Sequence, residues 1–322
     1  MTRQKQNIVT SLGPNQAEKY KGLYDAVAEG DSANAGRRIV LLPSIYGFPR
    51  FYNECFQNSM IVVQHIGKPS YFITITTNPN WDEIKNSLHP TEEPKDRSDI
   101  CGGVFKIKYS SLIDDILKQN ILGKVVAHYS TTEWQKRGLT HSHILLIMTE
   151  DSKPKTADAI DQVFYCEIHD KVTNPILHKI IPSCNIHDSC GQANMMSSCM
   201  EGLGQQRYCS KGYPKAFRQA TFVAENSFPE YRRRDRQYGG HTHTIQLGGQ
   251  EFTVDNRWNV PYNPFLSLRY QCHISCEVVH SVKAVKYLYK YQTRSLSLLR
   301  MIKVIVSMPK MRLKLILMHS TY

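Results

Sequence analysis

The stretch EWQKRGLTHSHILL, residues 133–146, decides the fold of this chain. A short polar connection containing a glycine separates two runs of strand-forming side chains, 124–135 and 141–148, and this pattern predicts a β-hairpin. His141 and His143 are two residues apart, so both imidazoles project from one face of the second strand.

The predicted loop determines which residues of the hairpin face each other. In a three-residue loop over residues 136–138, Gly138 takes the left-handed position and Glu133 lies directly opposite His141. Two imidazoles and a carboxylate suit a divalent ion such as Mg²⁺ or Mn²⁺ that also binds phosphate oxygens. We predict a metal site of Glu133, His141 and His143; the alternative is a pair of ordinary histidines on a strand.

Composition narrows the function classes. Lys and Arg outnumber Asp and Glu by 40 to 28 in 322 residues, a net charge of +12 that favours nucleic acid as partner, although the charge alone equally fits a basic protein without one. The chain has no phosphate-binding P-loop motif and no apolar stretch of about 20 residues, which excludes a P-loop ATPase and a membrane-spanning helix. Its polar beginning favours an intracellular protein, in which clustered cysteines indicate metal.

Other segments predict a mixed α+β domain. Residues 69–77, PSYFITITT, alternate as a central strand beside the histidine strand, and Trp81 after it is predicted to pack in the core. Residues 104–120 have apolar positions at helical spacing, whereas the charged residues 85–100, with two prolines, predict a loop.

A helix predicted over residues 275–291 contains candidate nucleophiles. Tyr287 and Tyr291 lie about 40° apart on one face. Tyr289 belongs instead to an apolar stripe, which predicts that it is buried; the stripe comprises Val278, Val282, Val285 and Tyr289. Tyr287 and Tyr291 then point the other way, beside Lys283 and Lys290; the alternative is ordinary aromatic packing on an amphipathic helix.

A Cys/His-rich segment predicts a second metal site. Four soft or borderline ligands suit tetrahedral structural zinc: His187, Cys190, Cys199 and Cys209. Cys184 is a competing ligand, and free buried cysteines are the alternative.

Two further patterns are less specific. His241 and His243 repeat the spacing of the first histidine pair but lack the apolar strand and the acidic partner, so we interpret them as structural or incidental. Arginines 232–234 with Tyr231 indicate phosphate contacts or base stacking, although charge runs are usually solvated. The predicted DNA-binding residues are Lys136, Arg137, Arg232, Arg233, Arg234, Lys283 and Lys290.

The stretch QKRGLTHSHILL resembles the pattern QKRGLPHAHILL of Helitron Rep domains, which are members of the HUH (His-hydrophobe-His) nucleases. LPSIYGFPRFYNECFQNSMIVVQHIGKPSYFITITTNPNWDEI resembles the upstream block of the family; CSKGYPKAF, YRRRD, DNRWNVPYNPFLSLRYQCHI and VKAVKYLYKY resemble its downstream blocks. The resemblance covers residues 36–293 in the family order. Thr140 and Ser142 replace a proline and a small apolar residue, and neither is a predicted ligand.

The resemblance implies an antiparallel sheet with flanking helices and a small Cys/His-rich subdomain. It implies nicking and rejoining of single-stranded DNA, with Mg²⁺ or Mn²⁺ at the histidines and a 5′-phosphotyrosine at Tyr287 or Tyr291. It also implies the same His and three Cys for zinc, a helicase domain that this chain lacks, and a nuclear location.

The predicted organisation comprises a loosely ordered N-terminus (1–35), two parts of the nuclease domain (36–149 and 216–293) with the Cys/His-rich insertion between them (150–215), and an atypical basic tail (294–322). The tail loses the resemblance and has the character of a shifted reading frame. Two alternatives therefore stay open: a truncated or decayed transposase that binds nucleic acid without catalysis, and a non-enzymatic zinc-dependent nucleic-acid binder. An RNA-binding module has no support beyond charge.

Overall fold

The computed structural model describes residues 49–134, 139–187, 190–191, 194–202, 207–223, 228–247, 250–279 and 302–306. The helices in these ranges are α1 (Pro49–Ile66), α2 (Asp82–Lys85), α3 (Ser98–Leu117), α4 (Ala157–Val163), α5 (Pro175–Cys184) and α6 (Pro264–Tyr270). The strands are β1 (Tyr71–Thr76), β2 (Val125–Trp134), β3 (Thr140–Met148), β4 (Met200–Glu201), β5 (Tyr208–Cys209), β6 (Thr242–Leu247), β7 (Gln250–Asp255), β8 (Ile274–Val278) and β9 (Ile302–Val306).

Five strands form one antiparallel sheet in the order β8-β1-β3-β2-β9. The predicted hairpin strands are confirmed as β2 and β3, and the strand predicted beside the histidine strand is confirmed as β1; the middle strand of the five is β3. Glu133 pairs with His141, as the loop length predicted, although residues 135–138 themselves lie outside the described part of the chain. With helices beside this sheet, the predicted α+β class is confirmed.

The two faces of the sheet differ because side chains alternate along a strand. On β1, Tyr71, Ile73 and Ile75 point into the main apolar core, whereas Thr74 and Thr76 point to the opposite face. Helix α3 covers the core face; its buried apolar side chains are Cys101, Phe105, Leu112 and Ile116. Trp81 is also in this core, as predicted, and its Nε1 donates to the carbonyl of Tyr270 at 2.7 Å.

The helix predicted over residues 275–291 is wrong at its start. Residues 274–278 form strand β8, which pairs with β1. The apolar side chains there repeat every two residues, with Ile274, Cys276 and Val278 in the core, so Val278 belongs to the sheet and not to a helical stripe. Residues 280–301, which contain the rest of the stripe and the predicted tyrosines and lysines, lie outside the described residues.

Residues after β3 add smaller elements to the same compact unit, residues 59–322. Asn185 joins the Cys/His-rich segment to β8 through two hydrogen bonds with the backbone of Ile274, at 3.0 and 3.2 Å. Strands β6 and β7 form a separate hairpin. Within the predicted tail, β9 pairs with β2 at the edge of the main sheet. Among the described helices, none has the length and apolar character needed to cross a membrane.

Candidate metal centres

His141 and His143 face each other on β3. Their Nε2 atoms are 3.2 Å apart, and their ring planes lie at 84° with centroids 4.5 Å apart. Since metal–imidazole bonds are about 2.1 Å long, an ion bound to both Nε2 atoms would subtend an angle of about 100°. This angle lies between the octahedral and tetrahedral values, so the pair fits a metal ion.

Two threonines of β1 hold the other nitrogens of these rings. Thr76 Oγ1 lies 2.7 Å from His141 Nδ1, and Thr74 Oγ1 lies 2.9 Å from His143 Nδ1. The contacts follow from the register, in which Thr76 is opposite His141 and Thr74 is opposite His143. Outer hydrogen bonds of this kind fix the orientation and tautomer of metal-binding histidines, so both rings are set to present Nε2.

Glu133 lies on the other side of His141, directly across the β2–β3 pair, with its side chain nearly buried. Opposite residues of an antiparallel pair have Cβ atoms about 4.5–5.5 Å apart on one face. Within the described residues, Glu133 and the two histidines do not form a group whose ligand atoms all lie within 4.8 Å of one another. The structure brings the two imidazoles together and places the carboxylate in the same cross-strand row.

Burial keeps His141 neutral. The pKa of His141 is lowered to about 3, first by burial and then by the proximity of His143 and His273. A metal ligand must be the neutral imidazole. At physiological pH, His141 therefore has a lone pair for a metal ion.

His273 also belongs to this row, although the sequence pattern did not predict it as a site residue. The backbone N–H of Thr76 donates to the carbonyl of His273 at 3.0 Å, and continuing the β1–β8 register places the two residues opposite each other. The Nδ1 atom of His273 lies 2.9 Å from the carbonyl of Cys184. The signal was the alternation of residues 273–278, which the helix interpretation hid.

A second cluster forms from four residues of the Cys/His-rich segment. The ligand atoms of His187, Cys190, Cys199 and Cys209 all lie within 4.8 Å of one another, and His187 Nε2 is 3.4 Å from Cys209 Sγ. Cys184, the competing ligand, is not in this group. Three thiols and an imidazole are a donor set typical of structural zinc, so this cluster can bind a metal such as zinc.

Two similar turns shape the cluster. Cys199 and Cys209 are each followed, three residues later, by a glycine with positive φ: 96° at Gly202 and 67° at Gly212. Such angles favour glycine. Burial disfavours the Cys209 thiolate, but hydrogen bonds from the backbone N–H groups at 213 and 211 and from the neighbouring thiols outweigh burial, so the pKa of Cys209 is lowered.

Residues 1–146 match the family model described as the Helitron helicase-like domain at the N-terminus. We call residues 1–146 the Helitron helicase-like segment. The predicted resemblance is thereby confirmed over residues 36–146, which the match and the resemblance share. No curated protein matches the chain significantly. The Helitron helicase-like segment contains Glu133, His141 and His143, whereas the four-residue cluster follows it in the chain.

Outside the Helitron helicase-like segment, Arg233 and Tyr231 of the basic run are buried. The Arg233 guanidinium donates to the carbonyls of Asn256 and Asn259, both at 2.7 Å. The Tyr231 hydroxyl accepts a hydrogen bond from the backbone N–H of Val278 at 2.8 Å. These contacts tie the run to the inside of the protein.

The neighbouring arginines pair with acidic residues. Arg234 Nη2 lies 2.6 Å from Glu167 Oε2, and Arg232 lies 3.2 Å from Asp161 and 3.3 Å from Glu167. Contact of residues 232–234 with DNA stays a prediction. The remaining predicted DNA-binding and catalytic residues lie outside the described part of the chain: Lys136, Arg137, Lys283, Tyr287, Lys290 and Tyr291.

Proposed function

We propose that this protein is a metal-dependent single-stranded DNA endonuclease and strand transferase of a Helitron-type transposon. The observation that carries the proposal is the pair of Nε2 atoms 3.2 Å apart, each ring held from behind by a threonine. The match of residues 1–146 to the Helitron helicase-like family model supports it.

In the proposed site, His141 and His143 hold Mg²⁺ or Mn²⁺, and Glu133 contributes an oxygen from the adjacent strand. When bound, the ion supplies polarisation of the scissile phosphate and neutralises charge on its non-bridging oxygens. Thr76 and Thr74 keep the two rings oriented. Because His141 stays neutral in its buried position, protons do not compete for its Nε2 near neutral pH.

The proposed nucleophile is Tyr287 or Tyr291. Its hydroxyl attacks phosphorus and forms a tyrosine–phosphate ester, and the bond from phosphorus to the 3′-oxygen breaks. The tyrosine proton passes to a base or to solvent, and the released 3′-oxygen takes up a proton. One phosphodiester replaces another, so rejoining needs no ATP. The proposal also includes a nuclear location and a helicase partner that separates the strands.

Incubation of the purified protein with labelled single-stranded DNA and Mn²⁺, followed by a denaturing gel, tests the proposal. We expect a nick and a covalent protein–DNA adduct that both disappear in His141→Ala and in the double variant Tyr287→Phe/Tyr291→Phe. His89→Ala, which changes an exposed loop histidine, is the matched control and should cut normally. A folded wild-type protein that binds DNA without nick or adduct would instead indicate a decayed transposase.

The four-residue cluster supports a second candidate, a zinc-dependent nucleic-acid binder without catalysis. In that case, zinc removal abolishes DNA binding, whereas His141→Ala leaves binding unchanged and no variant or metal produces a nick. The two candidates therefore differ in the same gel assay.

A further inference from the structure

The second histidine pair of the sequence takes part in a contact that its spacing does not reveal. His243 Nδ1 lies 3.2 Å from His178 Nε2, and His178 Nδ1 lies 2.7 Å from the carbonyl oxygen of His169. Because a carbonyl only accepts, His178 Nδ1 carries a proton and donates it. The orientation of His178 is thus fixed, and its other nitrogen faces His243.

Both rings line a cavity of about 700 Å³, which we call the β6 cavity because β6 forms part of its wall. This volume is within the range of about 300–1,000 Å³ typical of ligand pockets. Its basic and histidine side chains are Lys171, Lys179, Arg236, His178, His241 and His243. The lining of the cavity therefore brings together several cationic and imidazole residues.

The charge of the β6 cavity favours an anion. Among the described residues, none forms an ion pair with Lys171, Lys179 or Arg236, and all three side chains are exposed. The acidic residue of the lining is Asp170, whose Oδ1 already accepts from the backbone N–H groups of residues 172 and 173 at 2.9 and 2.7 Å. The lining therefore has three cationic residues and one carboxylate, and Asp170 Oδ2 also lies 3.8 Å from His241 Nδ1.

Among the described residues, Arg236 has no acidic partner, unlike two of the arginines predicted to contact DNA. Arg232 and Arg234 are matched by Glu167 and Asp161. Arg236 lies two residues further on, in a turn of 3₁₀ helix, and is one of the residues that line the β6 cavity. The basic run thus contributes an unmatched cation beyond the residues first predicted to contact DNA.

We propose that the β6 cavity binds a phosphate group of single-stranded DNA. The preference for an anion follows from the charges of the cavity, and the choice of DNA as its source rests on the proposed nuclease function. A divalent cation at His178 and His243 is disfavoured, because Lys171, Lys179 and Arg236 would repel it.

The salt dependence of DNA binding tests the proposal. Each phosphate contact to single-stranded DNA contributes about 0.7 to the slope of log K against log salt concentration. For Lys179→Gln/Arg236→Gln, we expect a slope smaller by about 1.4 than that of the full wild-type chain, measured by fluorescence anisotropy without added divalent metal. Lys85→Gln/Lys106→Gln removes two exposed charges from α2 and α3 and should leave the slope close to wild type. Equal slopes in both double variants would overturn the proposal.

Imidazole C–H resonances of His178 and His243 identify the ligand. Shifts on adding a thymidine oligonucleotide, with or without a similar effect of inorganic phosphate, support a site for DNA phosphate. Shifts with inorganic phosphate but not with the oligonucleotide, or with Zn²⁺ or Mn²⁺ alone, would overturn it.

A gel assay of the same variants separates this inference from the nuclease proposal. If the wild-type protein does not nick DNA but the slope falls in Lys179→Gln/Arg236→Gln, the β6 cavity binds phosphate and the nuclease proposal fails. If the wild-type protein nicks DNA and the slope is unchanged, the nuclease proposal stands and the role of the β6 cavity is refuted. Thermal unfolding of each variant establishes that it is folded.

Discussion

His141 and Thr76 are opposite each other on neighbouring strands, and the threonine hydroxyl lies 2.7 Å from the imidazole Nδ1. The same relationship joins His143 and Thr74 one row further along the sheet. Each histidine of β3 therefore depends on the neighbouring strand β1 for its orientation. The candidate active site is a property of three strands, not of the histidine hairpin alone.

Thr76→Val should weaken metal binding without disrupting the fold. The substitution keeps the β-branched shape but removes the hydroxyl that holds His141 Nδ1. Loss of an outer hydrogen-bond partner typically costs about 10- to 100-fold in metal affinity. We expect a loss of that size for Mn²⁺ in isothermal titration calorimetry, with recovery in Thr76→Ser.

Thr132→Val is the matched control for this experiment. Thr132 also lies on the sheet, and its hydroxyl is 2.7 Å from Ser142 Oγ on the other face of β3. This variant should lose some stability and keep its Mn²⁺ affinity. Equal weakening in Thr132→Val would mean that Thr76 acts through general stability and not through His141.

Cys199→Ser and Cys184→Ser should differ in zinc content. Cys199 belongs to the four-residue cluster, whereas Cys184 lies at the end of α5 and outside the cluster. We expect the purified Cys184→Ser protein to retain about one zinc per chain and Cys199→Ser to lose it, as measured by elemental analysis. Zinc loss should also lower the melting temperature, since metal binding and folding are coupled at such sites. Retention of zinc by Cys199→Ser would contradict the assignment.

The sequence predicted the hairpin and its register because a short glycine-containing loop leaves few ways to pair two alternating strands. Residues 275–278 of β8 were wrongly predicted to begin a helix. Val278 also fits the helical stripe that continues to Tyr289, so the strand pattern was not recognised. Because β8 was not predicted, His273 was not recognised as a site residue. Its position in the row with Thr76 and His141 depends on the β1–β8 pairing.

The contact between His178 and His243 was not predictable from the sequence. His178 and His243 are 65 residues apart, and no periodicity or motif links them. The Cys/His cluster was predictable only as a set of candidates, since spacing alone could not choose between Cys184 and the residues that converge in space. Local pairing rules thus gave the hairpin, whereas tertiary packing decided the membership of both clusters.

Glu167→Gln should lower the free energy of unfolding at neutral pH and make it depend less on pH in the acidic range. Glu167 accepts hydrogen bonds from the backbone N–H and the guanidinium of Arg234, and its side chain is 8% exposed. Burial by itself raises the pKa of Glu167, but Arg234 and then Arg232 outweigh burial and lower it. The charged carboxylate therefore stabilises the folded protein fully at pH values above its unfolded pKa of about 4.3. This stabilisation is lost as the pH falls through the lower pKa of the folded state, because the carboxylate then becomes protonated.

Urea unfolding between pH 7 and pH 3 measures this effect. Because Arg234 is partly exposed, we expect Glu167→Gln to cost about 2 kcal/mol at pH 7, below the 3–5 kcal/mol of a fully buried pair. The difference from wild type should shrink as pH falls below about 4. Asp158→Asn removes an exposed carboxylate from the first turn of α4, where it interacts with the helix dipole, and should cost only about 0.5 kcal/mol. A constant difference at all pH values would show that the charge of Glu167 is not the cause.

Adjacent glycines of α3 should respond to alanine in opposite directions. A Cβ at Gly102 would overlap the ring of Trp134, which ends β2 one residue after Glu133, whereas a Cβ at Gly103 would meet no atom within 4 Å. Alanine is better than glycine inside a helix by about 1 kcal/mol. Gly103→Ala should therefore stabilise the protein by about 0.5–1 kcal/mol. Gly102→Ala should destabilise it, because overpacking costs about 1–3 kcal/mol and must displace Trp134.

Urea unfolding measures both changes in stability. Mn²⁺ titration of Gly102→Ala should also show weaker binding, because moving Trp134 disturbs the neighbouring Glu133. Stabilisation by both alanines would show that the Trp134 ring does not pack on α3 in solution.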